Sequence, residues 1–203
     1  MLSVALTGNI ASGKTTVLNL FQSWGAFTTD ADAMVRELQR PGTPVFDAIV
    51  RRFGPPVVAS DGSLDRGALR RIVLEDPAAR ADLEALVHPA VHERRAQALA
   101  QARASGVPVS VHDIPLLFEA ADPSEFDRIV LVEASPARRR EWLIQRRGLS
   151  PAEADRMIGA QLPSPVKRAR SHYVIENDAD LATLGQRARV VWDQLISEAT
   201  RSA

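Results

Sequence analysis

The stretch Gly8-Asn9-Ile10-Ala11-Ser12-Gly13-Lys14-Thr15 decides how the rest of this 203-residue chain is interpreted. It matches the pattern G-x-x-x-x-G-K-S/T and stands between an apolar segment, Leu2 to Thr7, and a helical pattern that begins near Lys14. Its two glycines permit backbone conformations that a side chain forbids, so that successive N–H groups can converge on one anion. The positive end of the following helix favours the same anion. The stretch therefore predicts a buried strand, a phosphate-binding loop and a helix.

The polar residues of this loop are suited to a nucleotide. Only two of the 25 basic residues are lysines, Lys14 and Lys167, so a lysine in the loop indicates a need for a compact charge on the outer phosphates. The Thr15 hydroxyl is expected to ligate Mg²⁺. The residues expected to bind ATP are Gly8, Ala11, Ser12, Gly13, Lys14, Thr15 and Thr16. A glycine-containing turn that only caps a helix is the alternative interpretation.

The composition excludes several classes of protein. Hydrophobic residues make up 45% and charged residues 25% of the chain, which is ordinary for a globular protein with a buried core. Acidic and basic residues balance at 25 each, so we expect no nucleic-acid partner. Cysteine is absent, which excludes disulfides and thiolate chemistry. Without a long apolar run or a basic N-terminal region, the expected protein is cytoplasmic and has no membrane partner. A monomer is expected.

Apolar segments alternate with helical patterns along the chain. The predicted strands are Leu2 to Thr7, Ala26 to Thr29, Val107 to His112, Arg128 to Glu133 and Tyr173 to Ile175. This alternation predicts an α/β fold with a parallel sheet flanked by helices. We expect a core of residues 1–43, 106–147 and 172–203, with a helical lobe at 44–105 that includes helices over Gly67 to Leu74, Ala78 to Val87 and Val91 to Ala104. Residues 148–171, where Ser150-Pro151 opens a short helix, are predicted to form a small helical lid.

Carboxylates follow two of the predicted strands. Asp30 and Asp32 come after the second strand, where a carboxylate can accept the proton of an acceptor hydroxyl or help to hold Mg²⁺. An N-cap is the alternative for either residue. Asp113 follows the third strand and is a candidate Mg²⁺ ligand, with a simple turn residue as the alternative.

The remaining motifs narrow the class of phosphate-loop protein. No N-K-x-D motif is present, which disfavours a GTP switch, and a motor ATPase needs a larger core. A small ATP-dependent kinase remains. Arg146 and Arg147, just before Gly148, are candidates for a lid arginine that stabilises the transferred phosphoryl group, while the other arginines of that helix are expected at the surface. His88 before Pro89 is either a structural histidine or a substrate contact.

In order along the chain, these residues resemble the dephospho-CoA kinases, which belong to the P-loop kinases. The resemblance covers almost the whole chain. It is carried by the segment from Ala5 to Val17, Asp30-Ala31-Asp32, Asp61 to Arg66 with Leu69, His88-Pro89, Pro115 to Glu119, Arg146 before Gly148-Leu149-Ser150, Gln161, and Val174 to Asn177. The phosphate loop alone is generic, whereas the ordered set is specific.

This resemblance implies a P-loop kinase fold and transfer of the ATP γ-phosphoryl group to the ribose 3′-hydroxyl of dephospho-CoA, with Mg²⁺ bound alongside ATP. It suggests Asp32 as general base, Lys14 and Arg146 on the migrating phosphoryl group, and Asn177 near the adenine. The residues implied to contact the acceptor are Thr7, Asp32, Arg66, Arg70, His88 and Leu117. Thr15 and Asp113 remain the candidate metal ligands.

The chain also departs from the family pattern. Asn9 and Ala11 stand where the family commonly has glycine, Trp142 occupies a position that often carries arginine, and Ser171-His172 replaces the usual Ala-Asp. Arg138 or Arg139 is a candidate to substitute for the arginine missing at 142. Two alternatives stay open: a shikimate-kinase-like enzyme, although the chain has no Gly-Gly pair, and a nucleotide-binding protein without catalytic activity.

Overall fold

The computed structural model describes residues 1–201, with the side chains of Ala31, Asp32 and Ala120 outside the description. By its internal contacts, the chain divides into two compact units. The first contains Met1–Thr29 and Ala102–Ala203, and the second contains Asp30–Gln101. The division into core, lobe and lid stays a prediction.

Strands and helices alternate over most of the described chain. In order, they are β1 (Leu2–Thr7), α1 (Lys14–Ser23), β2 (Phe27–Asp30), α2 (Ala31–Leu38), α3 (Pro44–Phe53), α4 (Arg66–Glu75), α5 (Pro77–Ala104), β3 (Val109–Asp113), α6 (Leu117–Ala120), β4 (Arg128–Glu133), α7 (Pro136–Arg147), α8 (Pro151–Gly159), α9 (Ser164–Ala169), β5 (Tyr173–Glu176) and α10 (Leu181–Arg201). Short 3₁₀ turns lie at Pro55–Val57 and Pro123–Glu125.

The five strands form one sheet in the order β2-β3-β1-β4-β5, confirming the predicted fold class. The pairs β1–β3, β1–β4 and β4–β5 are parallel, with Leu6 opposite Asp113 and Val130. Because β1 has a later strand on each side, the chain reverses its direction of winding at the carboxyl end of β1. Ligands of open parallel sheets bind at such a switch point.

The alternation of side chains along β1 divides the core of the first unit. Leu2, Val4 and Leu6 pack on the face covered by α1 and α10, where the rings of Phe21 and Trp192 lie 5.5 Å apart. Ala5 points to the opposite face and packs with Leu117, Phe126 and Ile129. Successive side chains of a strand point to opposite faces, so a strand that alternates in this way is buried on both.

The second unit has its own core. The buried residues of this core come from α3, α4, α5, the turn at Pro55–Val57 and the segment before α4, and they are Val45, Ile49, Val57, Leu64, Leu69 and Val87. Thr43 caps α3 by accepting a hydrogen bond from Phe46 N, and Asp65 caps α4 by accepting one from Ala68 N. The unit is helical, apart from one isolated bridge between Val58 and Leu64.

Several predicted boundaries differ from the structure, and β2 and β5 each end one residue later than predicted. The third strand begins at Val109 rather than Val107, since Pro108 has no N–H to donate, and it continues through Asp113. The helices predicted on either side of Pro89 form one helix, α5, because Leu86, Val87, Ala90 and Val91 pack against the core of the second unit and offset the lost hydrogen bond. Residues 148–171 contain two helices, α8 and α9, and the one-turn helix α6 was not predicted at all.

Candidate active site

The carboxyl ends of the inner strands bring the predicted site residues together. Gly8 follows β1, Asp113 ends β3, Ala134 follows β4 and Asn177 follows β5. In a parallel sheet these ends lie at one edge, and the phosphate loop leaves the sheet from its central strand. The predicted strand, loop and helix are therefore confirmed.

Both glycines of the loop are required by its surroundings. A Cβ atom on Gly8 would lie 2.5 Å from the Val132 carbonyl oxygen and 2.6 Å from Ser12 Oγ. Gly13 has φ of 91°, and a Cβ atom there would overlap the Asn177 side-chain nitrogen. Ala11, with φ of 59°, is the one non-glycine residue of positive φ in the described chain, at a strain of about 1 kcal/mol. The loop thus retains its bend where the family commonly has glycine.

Lys14 forms an ion pair with Asp113 across the ends of β1 and β3. The Lys14 and Asp113 side chains are only 13% and 11% exposed. Thr15 is exposed and Thr16 half-buried at the start of α1. The sequence predicts Asp113 at this edge of the sheet as a candidate metal ligand. Its pairing with Lys14 was not predicted.

Asn177 packs against the phosphate loop. Its side-chain nitrogen donates to the Ser12 carbonyl oxygen at 2.9 Å, and its backbone N–H donates to the Glu133 carbonyl oxygen at 2.7 Å. The residue is 6% exposed. It therefore fixes the turn at Ser12 and Gly13, a contact that sequence analysis did not anticipate. Its predicted position near adenine stays a prediction.

Residues 161–164, which join α8 to α9, also contact the phosphate loop. Asn9 Nδ2 donates to the Leu162 carbonyl oxygen at 3.3 Å and to Ser164 Oγ at 3.2 Å. The Ile10 N–H donates to Gln161 Oε1 at 2.7 Å. Asn9 and Gln161 were each noted in the sequence, but the contacts between their two segments were not predicted. No local pattern links residues so far apart in the chain.

The arginines of α7 have different environments. Arg138 donates to the carbonyl oxygens of Asp178 and Ala179 at 3.0 and 2.6 Å, and its guanidinium also lies over the Trp142 ring. Arg146 is exposed, with its guanidinium carbon 5.4 Å from the Trp142 ring centre. Trp142 thus provides a stacking surface for both arginines on its own helix.

Arg139 is 3% exposed, and its Nε and Nη1 atoms have no partner among the described residues. Burial lowers the pKa of its guanidinium below the ordinary value, and the Glu133 carboxylate opposes that shift. Arg139 lines a cavity of about 500 Å³ together with Asn9, Gln161 and Asp178. Of the two arginines proposed to replace one at 142, Arg139 therefore has two nitrogens left for a ligand, whereas Arg138 has one, its Nε.

The remaining predicted residues have varied placements. Thr7 is buried, with its hydroxyl 3.4 Å from the Pro115 carbonyl oxygen, and Leu117 is fully buried in the core. Any contact of Leu117 with an acceptor would therefore come from its backbone. In the second unit, Arg66 and Arg70 are exposed one turn apart on α4, and His88 is exposed on α5.

The two aspartates after β2 are distinguished by the cap of α2. Asp30 is the N-cap, since its carboxylate accepts a hydrogen bond from Ala33 N at 2.9 Å. Asp32 lies within α2. Its side chain, the predicted general base, is not among those that the structure describes. The N-cap alternative thus applies to Asp30.

Over the described part of the chain, no helix is long and apolar enough to cross a membrane. Nor do the described residues include a group of three or more histidine, aspartate or glutamate side chains that would hold a metal ion. Thr15 and Asp113 stay the predicted metal ligands.

Comparison with known proteins identifies the family. Residues 2–183 match the family model described as dephospho-CoA kinase. The chain is 45% identical to the dephospho-CoA kinase of Symbiobacterium thermophilum over 93% of this chain and 79% of the relative. It is 43% identical to that of Anaeromyxobacter dehalogenans, over 94% and 90% of the two chains. A crystal structure from Thermus thermophilus superposes with a TM-score of 0.82 at 34% identity, covering 96% of this chain and 97% of the other. The chain belongs to the dephospho-CoA kinase family, a family of P-loop kinases.

Proposed function

We propose that the protein transfers the γ-phosphoryl group of ATP to the ribose 3′-hydroxyl of dephospho-CoA, producing coenzyme A. The observation that carries the proposal is the phosphate loop at the switch point of the sheet, with Lys14 held at its mouth by Asp113, in a chain of this family. Phosphoryl transfer depends mainly on positioning and on electrostatic stabilisation, which this arrangement is suited to supply.

The Lys14–Asp113 ion pair lies at the phosphate loop, where Asp113 neutralises Lys14 and keeps its ammonium group at the loop. Phosphate oxygens carry more negative charge than one carboxylate, so we propose that Lys14 moves to the β- and γ-phosphates when ATP binds. After this exchange, Lys14 would no longer be paired with the Asp113 carboxylate.

Mg²⁺ suits the oxygen atoms that lie there. It commonly takes one or two protein oxygens and completes its coordination with phosphates and water. We propose Thr15 and Asp113 as the residues that hold it. The ion would neutralise charge on the β- and γ-oxygens. Turnover that continues in excess EDTA would contradict this assignment.

The cavity beside the loop supports the nucleotide contacts proposed for Asn177. Asn177 touches Ser12, and its neighbour Asp178 lines the cavity together with Arg139 and Asn9. We propose that the base and sugar of ATP occupy this volume, with adenine near Asn177. Arg146, exposed at the end of α7, would then move onto the transferred phosphoryl group.

Asp32 is proposed as the general base that accepts the proton of the 3′-hydroxyl. Asp30, the other carboxylate of the motif, caps α2. Asp32 is therefore the candidate for the general base. Arg66, Arg70 and His88 are proposed to contact the acceptor, together with Thr7 and Leu117. We further propose that the protein acts as a cytoplasmic monomer.

A coupled assay of ADP release tests the proposed function against its alternatives. Reactions contain ATP and Mg²⁺ with dephospho-CoA, with shikimate, or with no acceptor. The proposal expects ADP release that depends on dephospho-CoA. Release with shikimate alone would indicate a shikimate-kinase-like enzyme. ATP binding without any release would indicate a binding protein that lacks catalytic activity.

A further inference from the structure

Lys167 is the second of only two lysines in the chain, and it is fully buried on α9. Its Nζ lies 2.7 Å from Oε1 of Glu119, whose side chain is 19% exposed, so the buried ammonium group has an ion pair, although the contact lacks the alignment of a good hydrogen bond. Burying an ammonium group is costly unless a carboxylate accompanies it. Lys14 has a role at the phosphate loop, whereas the proposed reaction gives Lys167 none.

Glu119 holds more than Lys167. The same oxygen, Oε1, accepts a hydrogen bond from the Leu162 N–H at 3.2 Å. Residues 161–167, hereafter the strap, are therefore attached to α6 near both of their ends by a single carboxylate. A compact ammonium group can share that oxygen with a backbone N–H in a closed space, where the broad guanidinium fork of arginine is harder to place.

The other side of the strap faces the phosphate loop. Asn9 donates to the Leu162 carbonyl oxygen and to Ser164 Oγ, and Gln161 accepts from the Ile10 N–H. The Asn9 amide has a defined orientation. If the amide were flipped, its oxygen would face the Leu162 carbonyl oxygen, and two acceptors form no hydrogen bond. Asn9 is 5% exposed. A glycine at this position, as is common in the family, could make neither contact.

We propose that the Lys167–Glu119 ion pair positions the strap, and that the strap holds the first half of the phosphate loop in its binding conformation through Asn9 and Gln161. Lys167 is thus a positioning residue for nucleotide binding, a role that rests on the proposed function. A loop already held in the bound conformation loses less conformational entropy when ATP binds. The strap therefore contributes to ATP affinity more than to the rate of transfer.

Asn9→Ala and Lys167→Met, alone and combined, test this inference. Alanine removes the amide without adding the backbone freedom of glycine. Binding of a non-hydrolysable ATP analogue is measured by calorimetry, and kcat by steady-state kinetics. Each single variant should weaken binding about tenfold, as expected for one or two lost hydrogen bonds. Lys167→Met, whose side chain does not line the cavity, should change kcat less than about twofold.

The double variant separates positioning from general destabilisation. If Lys167 acts through the strap and Asn9, the two changes remove the same effect, and the double variant should bind about as weakly as either single variant. Effects that multiply would overturn the inference. Arg128→Met is the control, because it removes an ion pair with Glu198 at the amino end of β4, far along the sheet from the loop, and should leave affinity unchanged.

Two further outcomes keep the test decisive. If Lys167→Met does not fold, an unchanged affinity in folded Asn9→Ala overturns the inference and a tenfold loss supports it.

Amide hydrogen exchange at Ile10 in the nucleotide-free protein should be faster in both variants, and unchanged exchange would contradict the proposed role of the strap. Measuring hydrogen exchange needs no nucleotide, so it tests the inference even if the wild-type protein fails to bind ATP. A failure to bind ATP would refute only the proposed function.

Discussion

Replacing Gly13 by alanine tests how closely Asn177 approaches the phosphate loop. Gly13 precedes α1 with φ of 91°, and an added Cβ atom would overlap the Asn177 side-chain nitrogen and lie 3.3 Å from its Cγ. Gly25, just beyond the other end of α1, has φ of 102° and nothing within 4 Å of an added Cβ atom. The two glycines therefore share the backbone strain and differ in the contact.

The magnitude follows from these two contributions. Alanine in the left-handed region costs about 1–2 kcal/mol at either position. At Gly13, the Asn177 amide must also rotate away and leave the Ser12 carbonyl oxygen without its donor, which costs about 1–3 kcal/mol more. We expect Gly13→Ala to lower the free energy of unfolding by roughly 2–5 kcal/mol, and Gly25→Ala by only the first part.

Urea unfolding of the two variants measures this difference. Both should unfold with an unchanged dependence on urea concentration, which shows that stability alone has changed. In an Asn177→Ala background the extra cost of Gly13→Ala should disappear, since the contact is gone. Equal destabilisation by Gly13→Ala and Gly25→Ala would refute the reasoning, and so would an extra cost that persists without the Asn177 side chain.

Four further variants test the catalytic roles. Lys14→Met should abolish most phosphoryl transfer while circular dichroism stays native, and near-wild-type turnover would refute its role on the phosphates. Asp32→Asn should lower kcat by about 10²–10⁴-fold with a near-normal KM for dephospho-CoA. Asp30→Asn should have a smaller effect, because an amide oxygen can still accept the hydrogen bond from Ala33 N. A larger loss of kcat in Asp30→Asn than in Asp32→Asn would place the base on Asp30. Arg146→Ala should lower kcat more than it weakens ATP binding, since its guanidinium lies over Trp142 and is proposed to reach the phosphoryl group only during transfer. Weaker binding at unchanged kcat would make Arg146 a ground-state contact.

The sequence predicts the parts of the site that depend on local pattern. The strand, loop and helix around Gly8 and Lys14 follow from glycine spacing and apolar periodicity, and the placement of Asp113 at the same edge follows from the parallel order of strands. The sequence does not show which of the two aspartates caps α2, because that depends on the direction of one side chain.

Contacts between distant segments could not be predicted. Asn9 meets Leu162 and Ser164 across 153 and 155 positions of the chain, and a single sequence carries no signal for such a pair. The continuous helix through Pro89 was missed for a similar reason, because packing on both sides of the proline outweighs its local preference. The replacement of Ala-Asp by Ser171-His172 has a local outcome, in which the His172 ring accepts the Ile129 N–H at 3.0 Å.

The position of the transferred phosphate tests the central claim most directly. The protein is incubated with dephospho-CoA, Mg²⁺ and ATP that carries ¹⁸O on its γ-phosphoryl group, and the labelled phosphate is located by phosphorus–proton correlation spectroscopy. The account predicts the label on the ribose 3′-oxygen and equal amounts of ADP and coenzyme A. Label on another oxygen, or label released only as inorganic phosphate, would contradict it.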